Sequence, residues 1–531
     1  MSEEKTLSAI RKRAENPQVL VPFALSALKD HLPLVFPVSP DVPPSPKRKY
    51  RSDYRYLGYD HLDDAMLDTA SDFELQLYLV DYTALERFLA YHIYKPSAKG
   101  QVPFHPVSMY LLILFRRAHH LSHPEVIRRL RHPEEGRTLR RWCGFTNQFP
   151  VESGLRYFEG CLTPELQWEI NALQIDMLYQ AGFLPTQPGT EEKVTLSFDG
   201  MLHEARSRMR CSSVQDSCYE PAPRSCPARK KKKQGCDCTD DACAQACRHA
   251  TPRDPAARLV VYTGSNKRAK SSPNTPQDGK PKSSRVRFNY GYYSYAGQIL
   301  DDERATYWIL PAAFGVATTS DDQLFPDYFT HLRTRFPWLT IDAVINDAAL
   351  CEQRCLDLIW NSGALRMVDI AAHKADDDPQ TRLDRGYDEN GHPLCPFGYP
   401  MRSNGHNYKR RQTKWRCSKQ CRFDKDRTPP ACDYLQPTFK HGYTVNVGRT
   451  HADGTVRLAR EIPYGTPAWK ARYNRRNLSE SRNSVLEGLG LKRLPVHGFP
   501  PGFVSVMQGD FLANLRTLVR FVREAAALGL T

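Results

Sequence analysis

Tyr473-Asn-Arg-Arg476-Asn-Leu-Ser-Glu480 places an aromatic ring, a guanidinium and a carboxylate at spacings of three and four. On an α-helix those spacings predict one shared face for Tyr473, Arg476 and Glu480. By itself the stretch also reads as a solvated Arg–Glu pair, an arrangement of little energetic value. Two carboxylates far upstream give it weight. Asp199 closes the apolar run Val194-Thr-Leu-Ser-Phe, and Asp347 closes Ile341-Asp-Ala-Val-Ile-Asn. Arginine clamps phosphate and carboxylates ligate hard cations, so acids delivered from two strand ends and a helix suit a two-metal phosphoryl-transfer site. Taken singly, Asp199 reads equally as a strand-end cap and Asp347 as the N-cap of the next helix. Asp342 is the nearest rival to Asp347, but it sits inside the strand rather than at its end.

Composition narrows the partner. The 531 residues suggest about three or four domain-sized units. A net charge of +15 and a pI near 9.1 point to a polyanion, either nucleic acid or an anionic membrane. The longest apolar run, 109–115, is far too short to span a bilayer. The opening Met1-Ser-Glu-Glu-Lys shows no signal peptide. The expectation is therefore a cytoplasmic, nucleoid-associated protein without a membrane partner, whose fifteen cysteines stay reduced. In that compartment clustered cysteines point to metal before disulfides.

The pattern changes along the chain. Residues 1–60 read as a flexible, Pro-rich arm ending in Pro44-Ser-Pro-Lys-Arg-Lys-Tyr-Arg51, either touching phosphate or merely solubilising. Residues 61–190 carry helical periodicity, with a helix starting at Ser122-His-Pro124. Arg128, Arg129, Arg131, Arg137, Arg140 and Arg141 flank two helices there that could read a DNA groove. Strands are expected over 194–198, 286–295 and from Tyr307-Trp-Ile-Leu-Pro-Ala-Ala-Phe, then a helix over 321–336 and a strand over 341–345. Residues 191–373 and 468–531 are expected to form an α/β core, interrupted by a Cys/Lys-rich insertion at 204–285. A second, Cys-containing basic insertion spans 374–467.

Cys395, Cys417, Cys421 and Cys432 supply four thiols, enough for a tetrahedral structural zinc site, although their spacing is looser than paired Cys-x2-Cys. Around them, residues 402–427 hold ten Lys or Arg and two Asp, with Tyr408, Trp415 and Phe423 interleaved. That mixture suits DNA contact, with Lys409, Arg410 and Arg411 as candidates beside Arg475 and Arg476. The earlier group of Cys211, Cys218, Cys226, Cys236, Cys238, Cys243, Cys247 and His249 could take one zinc, two or none. Arg229-Lys-Lys-Lys-Lys233 inside it reads as a solvated run adding nonspecific DNA affinity.

Several stretches together resemble the DDE transposases of bacterial insertion sequences, in the group with a Tyr-x2-Arg-x3-Glu signature. They are His105-Pro-Val-Ser-Met-Tyr-Leu-Leu-Ile-Leu, Leu121-Ser-His-Pro, Arg137-Thr-Leu-Arg-Arg-Trp-Cys-Gly-Phe, Ser197-Phe-Asp199-Gly-Met, Asn346-Asp347-Ala-Ala and the signature itself. The resemblance implies an α/β catalytic core of ribonuclease-H-like fold with insertions, preceded by an all-helical N-terminal DNA-binding domain. In that fold the first and fourth strands lie side by side. It implies a β-rich second insertion, with strands at Tyr443-Thr-Val-Asn-Val and Thr455-Val-Arg-Leu-Ala. Asp199, Asp347 and Glu480 would be catalytic and would hold two Mg²⁺ (or Mn²⁺) ions, Asp199 being shared. Arg476 would hold a phosphate, and Tyr473 would pack on the sugar–phosphate or a base. The implied activity is binding of terminal inverted repeats, cleavage to free 3′-OH ends, and their joining to target DNA by direct transesterification. Double-stranded DNA is the implied partner and a homo-oligomer on DNA the working form. One position departs: the signature's lysine, seven residues past Glu480, is Glu487, leaving Arg482, Lys492 or Arg493 to supply that charge.

Three other readings stand beside this one. They are an inactive transposase repurposed as a DNA-binding regulator, a ribonuclease-H-like nuclease without strand transfer, and a non-enzymatic zinc-binding module.

Overall fold

The computed structural model describes residues 32–43 except 40 and 41, 48–94, 101–206, 254–264 except 255, and 285–369 except 303. It further describes 388, 392–407, 412–424, 432, 442–448, 461–462 and 467–527 except 479.

Among the described residues eight α-helices precede the main sheet: α1 (Asp64–Thr69), α2 (Asp72–Leu79), α3 (Leu85–Ile93), α4 (Pro106–Ala118), α5 (His123–Arg131), α6 (Glu135–Cys143), α7 (Glu152–Cys161) and α8 (Pro164–Gln180). Their starts follow local chemistry. Ser122 and Glu125 close a capping box ahead of α5, with Pro124 in its first turn, and the Thr163 side chain accepts from Leu166 N before Pro164 opens α8. The helix α4 is buried along almost its whole length, including Arg116 and Arg117. Those two guanidiniums are tolerated because Glu159 of α7 pairs with both, and also with His123.

The expected arm is partly packed. Leu34, Phe36 and Val42 are buried, β1 (Leu34–Val35) pairs in parallel with β2 (Val80–Asp81), and Phe36 stacks on Phe511. Apolar side chains at 34 and 36 outweigh the flexibility that the prolines suggested. The basic end of this arm is also engaged: Arg51 lies 4.2 Å over the Phe104 ring, and Arg48 lies 6.0 Å over Tyr94.

A seven-stranded sheet follows, built from β3 (Val194–Glu204), β4 (Arg258–Gly264), β5 (Arg285–Asp301), β6 (Thr306–Ile309), β7 (Ala313–Val316), β8 (Ile341–Asn346) and β9 (Leu365–Val368). The strand β3 lies between β5, antiparallel to it, and β8, parallel to it; β9 continues in parallel beside β8. The outer edge of β5 takes β4, then β7 and β6, all antiparallel. Pro311 splits the expected third strand into β6 and β7, because proline has no N–H for the ladder. The insertion at 204–285 is not wholly separate, since it donates β4 to this sheet. Helices α9 (Asp321–Arg335) and α10 (Gln353–Asn361) connect β7 to β8 and β8 to β9. Within 374–467 the described strands β10 (Arg402–Asn407), β11 (Gln412–Arg416) and β12 (Thr444–Gly448) form an antiparallel sheet of three. The stretch at 455–459, expected as a strand, lies outside the described residues.

Three helices complete the described chain: α11 (Pro467–Tyr473), α12 (Glu480–Gly488) and α13 (Phe499–Ala527). The long α13 joins the helical layer to the sheet through buried amides. Asn171 donates to Met507 O at 2.8 Å, and Gln174 to Phe511 O at 3.0 Å. Asn514 bonds both N and O of Ile309 on β6 and donates to Gln174. Each such bond, if broken, leaves a buried polar group unsatisfied, so these contacts fix register more than they add energy.

Glu159 generates a prediction. Burial raises its pKa, but the His123 hydrogen bond and the Arg116 and Arg117 charges outweigh this and bring it to about 2. A depressed carboxylate stabilises fully above its unfolded value and loses that contribution as pH falls through the folded one. Denaturant unfolding of Glu159→Gln should lack this loss between pH 4.5 and about 2. At neutral pH the variant should be less stable by about 3–5 kcal/mol, because two buried guanidiniums lose their partner.

Candidate active site

Asp199 lies within β3 rather than at its end, opposite Ala296 of β5. Pairing with β5 carries the strand on to Glu204, so the polar residues after Phe198 do not end it. Asp347 follows the last residue of β8 directly, and β8 runs parallel to β3 with Ile345 beside Ser197. Asn346 ties the two strands here, donating to Phe198 O at 3.2 Å and to the Tyr295 hydroxyl at 2.7 Å. Two acids 148 positions apart in sequence therefore meet at the carboxyl side of a parallel strand pair.

Arg476 joins them. One guanidinium nitrogen stands 3.5 Å from Asp199 Oδ1 and 3.9 Å from Asp347 Oδ2. The other oxygens have different partners: Asp199 Oδ2 accepts from Asn483 Nδ2 at 2.8 Å, and Asp347 Oδ1 from Ala349 N at 2.8 Å. Asp347 thus does cap the following 3₁₀ turn, but with only one oxygen. Asp342, its rival, pairs with Arg472 at 3.1 Å. Burial holds the Asp199 carboxyl above its ordinary value, with the Arg476 and Arg482 charges pulling it back and Asp347 adding to the rise.

The expected single helical face is not what the chain forms. The helix α11 stops at Tyr473, a 3₁₀ turn covers Asn474–Leu478, and α12 starts at Glu480. Partner geometry accounts for the break. Arg475 turns to Asp302, 2.6 Å away, and to Thr195, whereas Arg476 turns to Asp199 and Asp347. Adjacent arginines with partners at separate points of the sheet are served by a tighter turn, not by a continued α-helix. Tyr473 stacks on Trp469 at 4.3 Å, and burial pushes its hydroxyl up to about 12. The Glu480 side chain lies outside the described residues, as do Lys409, Arg410 and Arg411. Glu487 is exposed and pairs with Lys492 at 2.7 Å.

Arg482, expected as a substitute phosphate ligand, is instead fully buried. Its guanidinium makes bonds of 2.8 and 2.9 Å to the two oxygens of Asp510 on α13, itself fully buried. It also donates to Ser294 Oγ at 3.4 Å. Ser294 bonds His203 Nε2 at 2.7 Å, and His203 Nδ1 donates to Leu491 O at 2.7 Å. A carbonyl can only accept, so Nδ1 carries the proton and Nε2 accepts from the serine. Burial lowers the His203 pKa to about 3, which keeps the ring neutral.

Sequence reasoning missed Asn483 and Asp321. Asn483 had a signal, since it lies three residues past Glu480 on one helix. Asp321 opens α9, five residues past the end of β7. Because β7 runs the same way as β3 and β8, Asp321 lies at the same end of the sheet as Asp347. Burial raises its carboxyl to about 7, against the pull of the Tyr293 hydroxyl and with help from the Asp347 and Asp199 charges.

The arrangement suits a hard cation. Beside Asp199, Asn483 Oδ1 is buried without a hydrogen-bond partner, an orphan acceptor in a carboxylate cluster that a bound cation or donor would satisfy. Among the described residues no group of three or more His, Cys, Asp or Glu side chains stands ready to hold a metal, and the Glu480 side chain is not one of those described. The thiols of Cys395, Cys417, Cys421 and Cys432 are likewise not gathered as a ligand set. They do lie near one another: burial raises the Cys421 thiol, and Cys417, Cys395 and Cys432 raise it further. Cys417 Sγ accepts from Lys419 N at 3.3 Å. Trp415 is buried against Met401 and so is not free to stack on a base, whereas Phe423 is exposed. The cysteine group at 211–247 lies outside the described residues. Among the described residues, no helix is long and apolar enough to cross a membrane.

Arg482→Ala should destabilise the protein by about 3–5 kcal/mol in denaturant unfolding, since it leaves Asp510 charged and buried without a partner. Arg482→Met combined with Asp510→Leu should recover much of that loss. The chain matches no protein-family model, no curated protein and no solved structure.

Proposed function

We propose that this protein is a DNA-cutting and DNA-joining enzyme of the DDE transposase type, acting on the ends of a mobile element. The observation that carries the reading is Arg476. The one signature arginine expected to face the acids reaches both Asp199 and Asp347, which come from distant parts of the chain. The strand order supports a ribonuclease-H-like core. An antiparallel set β3, β5 and β6/β7 is followed by a helix, a strand parallel to β3, a helix and another parallel strand.

Asp199, Asp347 and Glu480 would hold divalent cations, Mg²⁺ or Mn²⁺, which activate the attacking oxygen and stabilise the leaving 3′-oxygen. The chain's own groups do the rest. Asn483 fixes the second oxygen of Asp199, which leaves the first toward Arg476. Arg476, partly exposed, can take a phosphate oxygen in place of a carboxylate. Arg475 is held by Asp302 and Thr195 and shapes the turn. Binding strength would come from elsewhere: Arg128, Arg129, Arg131, Arg137 and Arg141 are exposed on α5 and α6, and Gly136 lets those helices approach closely. A structural zinc at Cys395, Cys417, Cys421 and Cys432 would stabilise the basic insertion.

On DNA carrying the element's terminal repeats, Asp199→Asn, Asp347→Asn and Glu480→Gln should each lower cleavage by roughly 10²–10³-fold or more. Binding in a mobility-shift assay should change by less than about twofold, because phosphate contacts set affinity. Glu487→Gln should leave most cleavage intact, given its surface pair with Lys492. Equal damage from Glu480→Gln and Glu487→Gln, or cleavage surviving Asp199→Asn, would refute the assignment.

Elemental analysis of the purified chain should find zinc, and Cys417→Ser should lower both zinc content and melting temperature before it affects cleavage. Well-folded protein free of zinc would remove this part alone.

A further inference from the structure

Asp321 is 7% exposed, although it opens a helix at the edge of the sheet. A carboxylate in a first helical turn gains from the helix dipole while remaining in water, so the dipole does not explain its burial. Helix capping does not explain it either, because Ser320 and Gln323 already form the capping box. Its partner is specific: the Tyr293 hydroxyl donates to Asp321 Oδ1. Tyr293 stands on β5 opposite Leu202, so its ring can lean diagonally across β3 toward the residue after Asp199.

That residue is Gly200. A Cβ placed there would stand 1.7 Å from the Tyr293 hydroxyl oxygen and 2.1 Å from the carbon bearing it. The hydroxyl therefore lies directly on the β3 backbone beside Asp199, in space that any other residue at 200 would fill. Its position is set from the far side by Asp321.

We propose that Tyr293 and Asp321 form a positioning pair for the Asp199 carboxylate. Asp321 anchors the hydroxyl, the hydroxyl presses on the backbone at Gly200, and the neighbouring Asp199 is held in the orientation that Asn483 and Arg476 share. This rests on the reading of Asp199 as a cation ligand. It assigns the glycine of Asp199-Gly200 to a steric role: the absence of a side chain admits the tyrosine. It also gives a reason for a carboxyl to be buried at this helix start.

The test is Mn²⁺ binding to the full chain without DNA, by calorimetry, together with the Mg²⁺ dependence of cleavage. Tyr293→Phe and Asp321→Asn should each weaken Mn²⁺ binding by about tenfold, as losing a group that orients a ligand does. Each should raise the Mg²⁺ concentration for half-maximal cleavage similarly, while the rate at saturating Mg²⁺ falls less. Because the two act as one unit, the double variant should be no worse than Asp321→Asn alone. Melting temperatures should change little, which separates positioning from loss of fold. Normal Mn²⁺ binding by Tyr293→Phe and Asp321→Asn, with binding lost in Asp199→Asn, would overturn this inference alone; additive losses in the double variant would do the same. Normal binding by Asp199→Asn would instead overturn the reading of the site.

Discussion

The Arg482–Asp510 pair, with both side chains shut off from solvent, is the constraint on which the site depends. Removing two charges from water is costly, and their attraction offsets that cost only in good geometry with the remaining donors satisfied. Here the fork of Arg482 meets both Asp510 oxygens, and Ser294 and His203 extend the network to the carbonyl of Leu491. The network joins α12, α13, β5, β3 and the chain after α12. A hydrophobic contact could hold α12 against the sheet but would tolerate rotation or slip. A bidentate ion pair tolerates neither, and Asn483, the next residue, is thereby aimed at Asp199.

Topology does the other half of the placement. Because β8 and β9 run parallel to β3, the chain must cross over through α9 and α10, and every crossover starts at the same end of the sheet. That end collects the residues that follow strands, Asp347 after β8 and Asp321 after β7. Carboxyl ends of strands are where open α/β sheets put ligands. The carboxylates crowd there, and the raised values of Asp199 and Asp321 express the crowding as well as the burial.

Much of this was legible in the sequence where the signal was local. The apolar runs at 194–198 and 341–345 lie within β3 and β8, the helix expected over 321–336 is α9, and Ser122-His-Pro124 starts α5 through a capping box. What stayed hidden was set by partners far away in the chain. Nothing in Ser-Phe-Asp-Gly-Met reveals that β5 will extend pairing past Asp199 to Glu204. Nothing near Arg482 announces Asp510, so an arginine on a polar-looking helix read as a surface cation. The turn inside Tyr473–Glu480 is the same kind of miss: helical spacing was correct as a count, but Asp302 and Thr195 pull Arg475 one way while the acids hold Arg476 another. Arg51 and Trp415 likewise looked available for nucleic acid and are engaged by Phe104 and Met401.

Charge distribution connects the site to the proposed substrate. The chain carries +15 overall, yet one end of its sheet gathers Asp199, Asp321 and Asp347, with one guanidinium between Asp199 and Asp347. A phosphodiester is drawn by the long-range field and repelled at short range by the carboxylates. Within a few ångströms the repulsion wins, because charges near a protein surface interact several times more strongly than in bulk water. A bare acid cluster would therefore reject the backbone that the rest of the protein attracts. Two features reverse the balance on the proposed reading: cations on the acids, and an Arg476 that can exchange a carboxylate for a phosphate. The placement of Arg476 at 3.5 and 3.9 Å, looser than the 2.8 Å bonds of Asn483 and Ala349 to the same carboxylates, suits such an exchange, since a tight bidentate pair would resist it.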